Sequence, residues 1–475
     1  MKKNLSWQTV YQLIAICTPL ITTPYLSRVL GADGIGIFAY TYSTVLLFRM
    51  IALLGNENYG TREIAKIRDN PRRRTIIFRD IFFVQFVATA LSAVLFLMYL
   101  LLTKDNRTIL LVQGIWIFDC FINISWFYSG LERFKYRSIV GIVFKTVQTL
   151  LIFLLVKNEN HVGRYALILS SCVVATSIVL WFGTIKCIQF RVLFSLPDFR
   201  KTLYGTLVLF IPVATGSIFH LMDKIMLGKM STSFESGIYY ISDHIVNIPN
   251  TLVYSLCMVV LSRLSFCSKD KTTYQKIFRN YSELILAIAV AMSLGIDSIA
   301  QIFIPFFLGN EFEPCINIIY YFSLIMIIKS FSYVITLMYL IPNNKDKIYV
   351  RAVICGAVLN IIFNYIFIGL FKMGALGATF GTMIAEFAVL FVELLLIRKE
   401  VRITPFFARC IPYVLFGIIM LFVVRCFINY LHYQNTAVLL IVSVFIGVIC
   451  YAFFTLLYIL LTKKHRIFLT EYKNE

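Results

Sequence analysis

The residues of this chain able to do chemistry are ionisable groups set inside long apolar runs. The cations are Arg28, Arg49, Lys145, Lys224 and Lys329, and the acids are Asp119, Asp223, Asp243, Asp297, Glu386 and Glu393. An ionisable side chain at the middle of a lipid bilayer costs about 2.5–3.5 kcal/mol on insertion scales, so it faces a partner or a polar cavity rather than lipid. Five such cations suggest a cleft that takes an anion. The acids suit two roles, pairing with those cations or carrying a coupling H+ or Na+, and Asp119, Asp223, Asp297 and Glu386 are the candidates. Glu393 joins the same set, with simple pairing as the plainer reading.

Depth within the runs separates the cations. Arg49, Lys145 and Lys329 sit well inside theirs, which favours a place on the cleft wall. Arg28 and Lys224 close theirs, in Ser27-Arg28-Val29-Leu30-Gly31 and Asp223-Lys224-Ile225-Met226-Leu227-Gly228; snorkelling to the headgroups explains them equally well. Asp223 projects about 100° away from Lys224 on a helix and is not its direct partner. Asp243-His244 would titrate near neutrality, although a lone His is more often simply hydrogen-bonded. Pro19 and Pro24 flank Ile21-Thr22-Thr23 and remove backbone hydrogen bonds, which makes them candidates for a gating kink or for a static one.

Other chemistries lack their residues. No phosphate-binding glycine loop, zinc-protease helix motif or other metal-ligand spacing is present, so the sequence offers no catalytic residue, no metal site and no cofactor. The eleven cysteines fall mostly in apolar runs without C-x-x-C spacing and read as small packing residues with no disulfide.

The elements that position these groups are about fourteen apolar segments, at 8–30, 35–55, 81–102, 109–128, 139–156, 165–184, 203–227, 237–261, 283–306, 316–340, 350–371, 376–397, 406–428 and 437–461. Each has the length of a membrane-crossing helix. A hydrophobic content of 59% and mean hydropathy of +0.82 agree with a chain solvated mostly by lipid. The longest gap, Gly55 to Asp80, leaves no room for a soluble domain. The formal charge of +20 does not mean nucleic acid, because of the 44 Lys and Arg, 32 fall at the termini and in, or within a turn of, the links after even-numbered segments. That asymmetry places both termini in the cytoplasm. The first segment carries Pro19 and Pro24 and is too long for a cleaved signal, so it is expected to be retained.

A repeat of about 200 residues organises the segments. Ile77-Phe78-Arg79-Asp80 matches Ile277-Phe278-Arg279-Asn280, Pro19 matches Pro212, and Gly36-Ile37-Phe38 matches Gly237-Ile238-Tyr239. Six segments per copy make the repeat parallel. The expected fold is an all-α polytopic membrane protein with two pseudo-symmetric six-helix lobes around a central cleft, plus two C-terminal helices. The lobes are 1–190 and 191–400, and 401–475 holds segments 13 and 14 with a cytoplasmic tail. Alternating access through that cleft makes a transporter the default function.

Several stretches resemble one family. They are Pro19-Leu20-Ile21-Thr22-Thr23-Pro24-Tyr25-Leu26-Ser27-Arg28-Val29-Leu30-Gly31, then Tyr59-Gly60-Thr61-Arg62-Glu63-Ile64-Ala65, then Trp126-Phe127-Tyr128-Ser129-Gly130-Leu131-Glu132-Arg133-Phe134-Lys135. Asp223 to Gly228 and Gly374-Ala375-Leu376-Gly377-Ala378-Thr379 add to them. The chain thereby resembles the Wzx-type polysaccharide flippases of the MOP exporter superfamily along essentially its whole length. The resemblance implies a non-enzymatic protein of the bacterial cytoplasmic membrane that moves an undecaprenyl-diphosphate-linked oligosaccharide repeat unit to the outer leaflet for O-antigen, capsule or a related glycan. It admits a polysaccharide polymerase as partner and H+ or Na+ as coupling ion. The alternatives are a peptidoglycan lipid-precursor flippase, a cation-coupled drug exporter, which would want acids in its cleft, and a membrane glycan polymerase, which the short outer links disfavour.

Overall fold

The computed structural model describes residues 2–189, 198–267, 270–400, 403–430 and 435–462. The expected lobe boundaries at 190/191 and 400/401, and the tail beyond 462, run into residues outside that set. Among the described residues all regular structure is helical, as lipid demands of a chain whose backbone polar groups must bond to one another. The helices are α1 (Lys2–Leu53), α2 (Asn56–Lys66), α3 (Pro71–Leu102), α4 (Arg107–Ile122), α5 (Ser125–Gly130), α6 (Phe134–Leu155), α7 (Val162–Thr184), α8 (Phe199–Met230), α9 (Ser233–Phe266), α10 (Lys271–Leu308), α11 (Cys315–Ile335), α12 (Asp346–Asn364), α13 (Gly374–Ile397), α14 (Ile403–Tyr430) and α15 (Thr436–Leu461). The chain is an all-α polytopic membrane protein.

Among the described residues eleven helical stretches are long and apolar enough to cross a membrane, twelve with the bent pair Phe199–Ile211 and Ala214–Met230. Fourteen segments were expected, and the difference has local causes. Segments 1 and 2 share α1, which turns at Gly31 with φ 64° and ψ 178°, a conformation open in practice only to glycine. Segment 4 stops early, as the 16-residue α4, because the Asn123 side-chain oxygen accepts from the Ser125 amide at 3.1 Å and its hydroxyl at 2.8 Å and draws the backbone into a turn. Pro19 and Pro24 lie within α1, but its non-helical dihedrals are at Gly31.

Two compact units divide the chain, Met1–Tyr240 with Ile368–Gly374 and Ile241–Phe367 with Ala375–Glu475. In the first, the amphipathic α2 packs on α5. A Cβ on Gly60 would come within 2.5 Å of the Trp126 ring, and one on Gly130 within 2.6 Å of Ile64. Phe78, Ile81, Phe127 and Tyr128 complete this core. Polar groups tie the helices where apolar surface alone gives no drive to associate: Gln85 donates to the Cys120 and Asn123 carbonyls at 2.6 and 2.8 Å, and accepts from the Trp126 indole at 3.0 Å.

The same unit contains a reciprocal backbone crossing. A Cβ on Gly36 would lie 1.7 Å from the Ser233 carbonyl oxygen, and one on Gly237 2.0 Å from that of Ala32. Ala32 and Ser233 each precede their own glycine by one helical turn, so α1 and the start of α9 meet as mirror partners in sequence. These are the two glycines that the repeat aligns. In the second unit, α10, α14 and α15 close over Val290, Leu294, Met420, Val424 and Tyr451, with the Tyr451 hydroxyl donating to the Ala287 carbonyl at 2.8 Å. α11 and α12 each run on into a π turn, Thr336–Leu340 and Tyr365–Leu370.

Candidate functional site

In the first unit a cavity of about 390 Å³ opens among α1, α2, α4, α5, α6 and α7. Its wall brings together Arg49, Lys145 and Arg137, with Glu57, Gln148, Thr176, Trp116 and Trp126. Arg49 reaches it from the last turns of α1. Its guanidinium bonds Asp119 at 3.1 Å and lies 4.8 Å over the Trp116 ring, a favourable seat for a cation away from water. Asp119 is fully buried, and also accepts from Ser177 at 2.6 Å and Asn123 at 3.2 Å. Arg137 pairs loosely with Glu57 at 3.6 Å and bonds the Ser129 hydroxyl. Lys145 differs from both, because among the described residues its half-buried ammonium has no carboxylate partner. An ammonium, two guanidinium groups and two indoles on one wall suit an anion attached to something flat or hydroxylated.

The second unit treats its cations otherwise. Lys329 is bound to Glu386 at 3.2 Å, with the two side chains 11% and 7% exposed. Arg425 is bound to Asp297 at 2.7 Å and stacks 4.6 Å over Tyr320, while Ser323 completes the carboxylate at 3.5 Å. Glu393 is buried between two hydroxyl donors, Ser332 at 2.8 Å and Thr336 at 2.6 Å. Asp243 accepts from Asn247 at 2.6 Å.

The remaining sequence candidates lie elsewhere in the first unit. Asp223 and Lys224 take adjacent partners, the Tyr239 hydroxyl at 2.6 Å and the Tyr240 ring at 5.7 Å. Arg28 is exposed and donates to the Pro24 carbonyl one turn back at 3.2 Å. So of the five cations proposed for a cleft, the structure brings Arg49 and Lys145 onto one cavity wall and pairs Lys329 with an acid. Sequence reasoning misses both Arg137, counted among the topogenic link charges, and Arg425, which lies inside segment 406–428 but outside the set of intramembrane cations. The signal for Arg425 was its place before Tyr430, where α14 ends.

Comparison with known proteins adds the lineage. Residues 1–265 match the family described as polysaccharide biosynthesis protein. The chain belongs to that family. Two curated relatives of the chain, each named a putative O-antigen transporter, come from Escherichia coli (strain K12), 24% identical over 412 residues, and Shigella dysenteriae, 21% identical over 390. The matches cover 84% and 81% of this chain and 97% of each relative. Among solved structures, the lipid II flippase MurJ in an inward closed conformation gives a TM-score of 0.78 at 14% identity, covering 95% of this chain and 98% of that one. An inward-facing multidrug resistance transporter of the MATE family gives 0.59 at 15% identity, covering 82% and 98%. At such identities the likeness is one of fold. The family match spans both the α2 and α5 stretches, whose glycines and aromatic residues pack on each other.

Proposed function

We propose that this member of the polysaccharide biosynthesis protein family is a flippase that carries a lipid-linked oligosaccharide, with undecaprenyl diphosphate as the lipid, across the bacterial cytoplasmic membrane by alternating access. The observation that carries this reading is the cavity of the first unit, where Arg49, Arg137 and Lys145, which holds no acid among the described residues, meet Trp116 and Trp126. The names of the two curated relatives support the same cargo.

The physical problem is hydration. Each sugar hydroxyl taken into hydrocarbon without a partner costs several kcal/mol, so an unassisted headgroup does not cross at a useful rate. A polar wall replaces the lost water, the cations hold the diphosphate, and the polyprenyl tail stays in lipid. Positive-inside topology puts the end of α1 that bears Arg49 at the cytoplasmic side and the Gly36–Gly237 crossing at the outer side. The cavity then lies where cargo is loaded, and the crossing is the contact that has to part for release. A negative headgroup moving outward gains about 2.3 kcal/mol per charge per 100 mV if it traverses the whole field. Asp119, Asp297 and Glu386 each hold a cation, which supports a pairing role for them ahead of ion coupling.

A peptidoglycan lipid-precursor flippase is the second reading, favoured by the fold match over 95% of the chain. One experiment separates the two. After deletion of the gene, lipid-linked oligosaccharides are extracted and their leaflet is scored with an impermeant sugar-oxidising reagent. Complete surface-glycan repeat units trapped on the inner leaflet are expected. Trapped peptidoglycan precursor would establish the second reading, and repeat units reaching the outer leaflet unpolymerised would point to an enzyme.

A further inference from the structure

A run of aromatic rings in the first unit joins the cavity to Lys224. Phe38 and Tyr42, one turn apart on α1, stack at 5.2 Å with an interplanar angle of 13°. Phe38 meets Tyr165 of α7 at 4.6 Å and Tyr240 of α9 at 6.5 Å. Tyr42 meets Trp116 in a T-shaped contact at 5.2 Å, and Trp116 carries Arg49 on its face. Phe38, Tyr42 and Arg49 fall within about 40° of one another around the helix and cover roughly 16 Å along it. At the far end Lys224 sits over Tyr240.

Ordinary core packing accounts for Phe38, which is 4% exposed. It does not account for the tyrosines. A buried Tyr hydroxyl normally finds a hydrogen-bond partner, yet among the described residues Tyr42 and Tyr165, both half-buried, offer hydroxyls that bond nothing. The Lys145 ammonium lines the cavity at one end of the run. A pyranose ring has the matching chemistry, an apolar face of C–H groups to lie on a flat ring and a rim of hydroxyls to bond a phenol.

We propose that Tyr42, Tyr165, Trp116 and Tyr240, backed by Phe38, form a stacking track for the pyranose rings of the cargo, with the diphosphate held at the Arg49 and Lys145 end. This rests on the lipid-linked glycan reading and assigns the glycan its contacts. Stacking is tolerant of which hydroxyls are axial, so the track fits sugars as a class and lets them slide.

The test uses the full-length protein in lipid nanodiscs, titrated calorimetrically with farnesyl diphosphate and with farnesyl diphosphate bearing one N-acetylglucosamine. The wild type is expected to bind the sugar-bearing probe more tightly. Tyr42→Leu and Tyr165→Leu, which keep apolar bulk and helix propensity, should weaken that probe about tenfold and leave farnesyl diphosphate within about twofold. Tyr42→Phe retains the ring and should lose only part of the affinity. Equal weakening of both probes, or unchanged binding of the sugar-bearing probe by the Leu variants, overturns the track while leaving the flippase reading standing. No advantage of the sugar in the wild type also overturns it. Failure of the wild type to bind either probe overturns the lipid-diphosphate reading together with the track.

Discussion

The two units pair their intramembrane cations to different degrees. In the second, Lys329 and Arg425 are each locked to a carboxylate, at 3.2 and 2.7 Å. In the first, Arg49 is bound to Asp119 at 3.1 Å, but Arg137 pairs loosely and, among the described residues, Lys145 holds no acid. An ion pair closed on itself has little attraction left for cargo, whereas an unmatched ammonium on a cavity wall keeps its field. Finding a cation in an apolar run therefore does not locate a site; the presence or absence of its counter-charge does.

Removing one partner from a closed pair is the largest way to test that contrast. Glu386→Gln takes the 3.2 Å carboxylate from the buried Lys329, at an expected loss of about 3–5 kcal/mol, and Asp297→Asn takes the carboxylate from Arg425, which is a third exposed and should lose less. Thermal unfolding in nanodiscs should show both. Replacing the whole pair, as in Lys329→Met with Glu386→Leu, should restore most of the stability and leave glycan export near normal. Export lost in a stable double variant would mean that the second unit also handles cargo.

Lys145→Ala should behave in the reverse manner. It strands no carboxylate, so stability is expected to change by less than about 1 kcal/mol, while complementation of the deleted host falls severely. Arg49→Ala sits between the two cases. It leaves the fully buried Asp119 unmatched, and should therefore lose stability and export together. Normal export by Lys145→Ala would remove the cavity from the cargo path.

Much of this was legible in the sequence, because twenty-residue apolar runs and the asymmetry of Lys and Arg are bulk signals. Thirteen of the fourteen expected segments run along helix, and the fourth is broken at Asn123. The long-range repeat also left a trace in single residues, since Gly36 and Gly237 were aligned by their neighbours and then prove to touch. Pairing was not legible. Asp297 and Arg425 are 128 residues apart, and nothing local in either helix announces the other. Nor did aromatic content, at 16%, say which rings would line up, since Tyr42, Tyr165 and Trp116 meet only after α1, α4 and α7 have packed.

The glycine crossing gives a smaller effect of a different kind. Gly36→Ala puts a methyl group 1.7 Å from a backbone oxygen, which only separation of the helices relieves, and overpacking of this sort costs about 1–3 kcal/mol. Because the strain belongs to the crossed state alone, the variant should shift the population toward the parted one. Enhanced labelling of a cysteine at Ile35 by an impermeant maleimide would report it. Gly163→Ala, with open space around its Cβ position, is the control and should change nothing. Unaltered labelling in Gly36→Ala would show that the crossing does not move.

The smallest effect compares equivalent helix starts in the two repeats. Asn70 accepts from the Arg73 amide at 3.0 Å and opens α3; Asp270 accepts from the Thr272 and Thr273 amides at 3.1 and 3.3 Å and opens α10. Asn70→Ala should lower stability by about 1 kcal/mol, and Asp270→Ala should act in the same direction. The two caps part company in acid. Bonds from Thr273 and Thr272 hold the Asp270 carboxyl down at about 2, below its usual value, so its contribution is present above the ordinary carboxylate range and is lost as pH falls through about 2. Asn70 has no charge to lose. The difference between the two Ala variants should thus stay constant from neutral pH down to about 4 and close only below that. A difference that already closes near pH 5 would mean that the Asp270 cap is not formed.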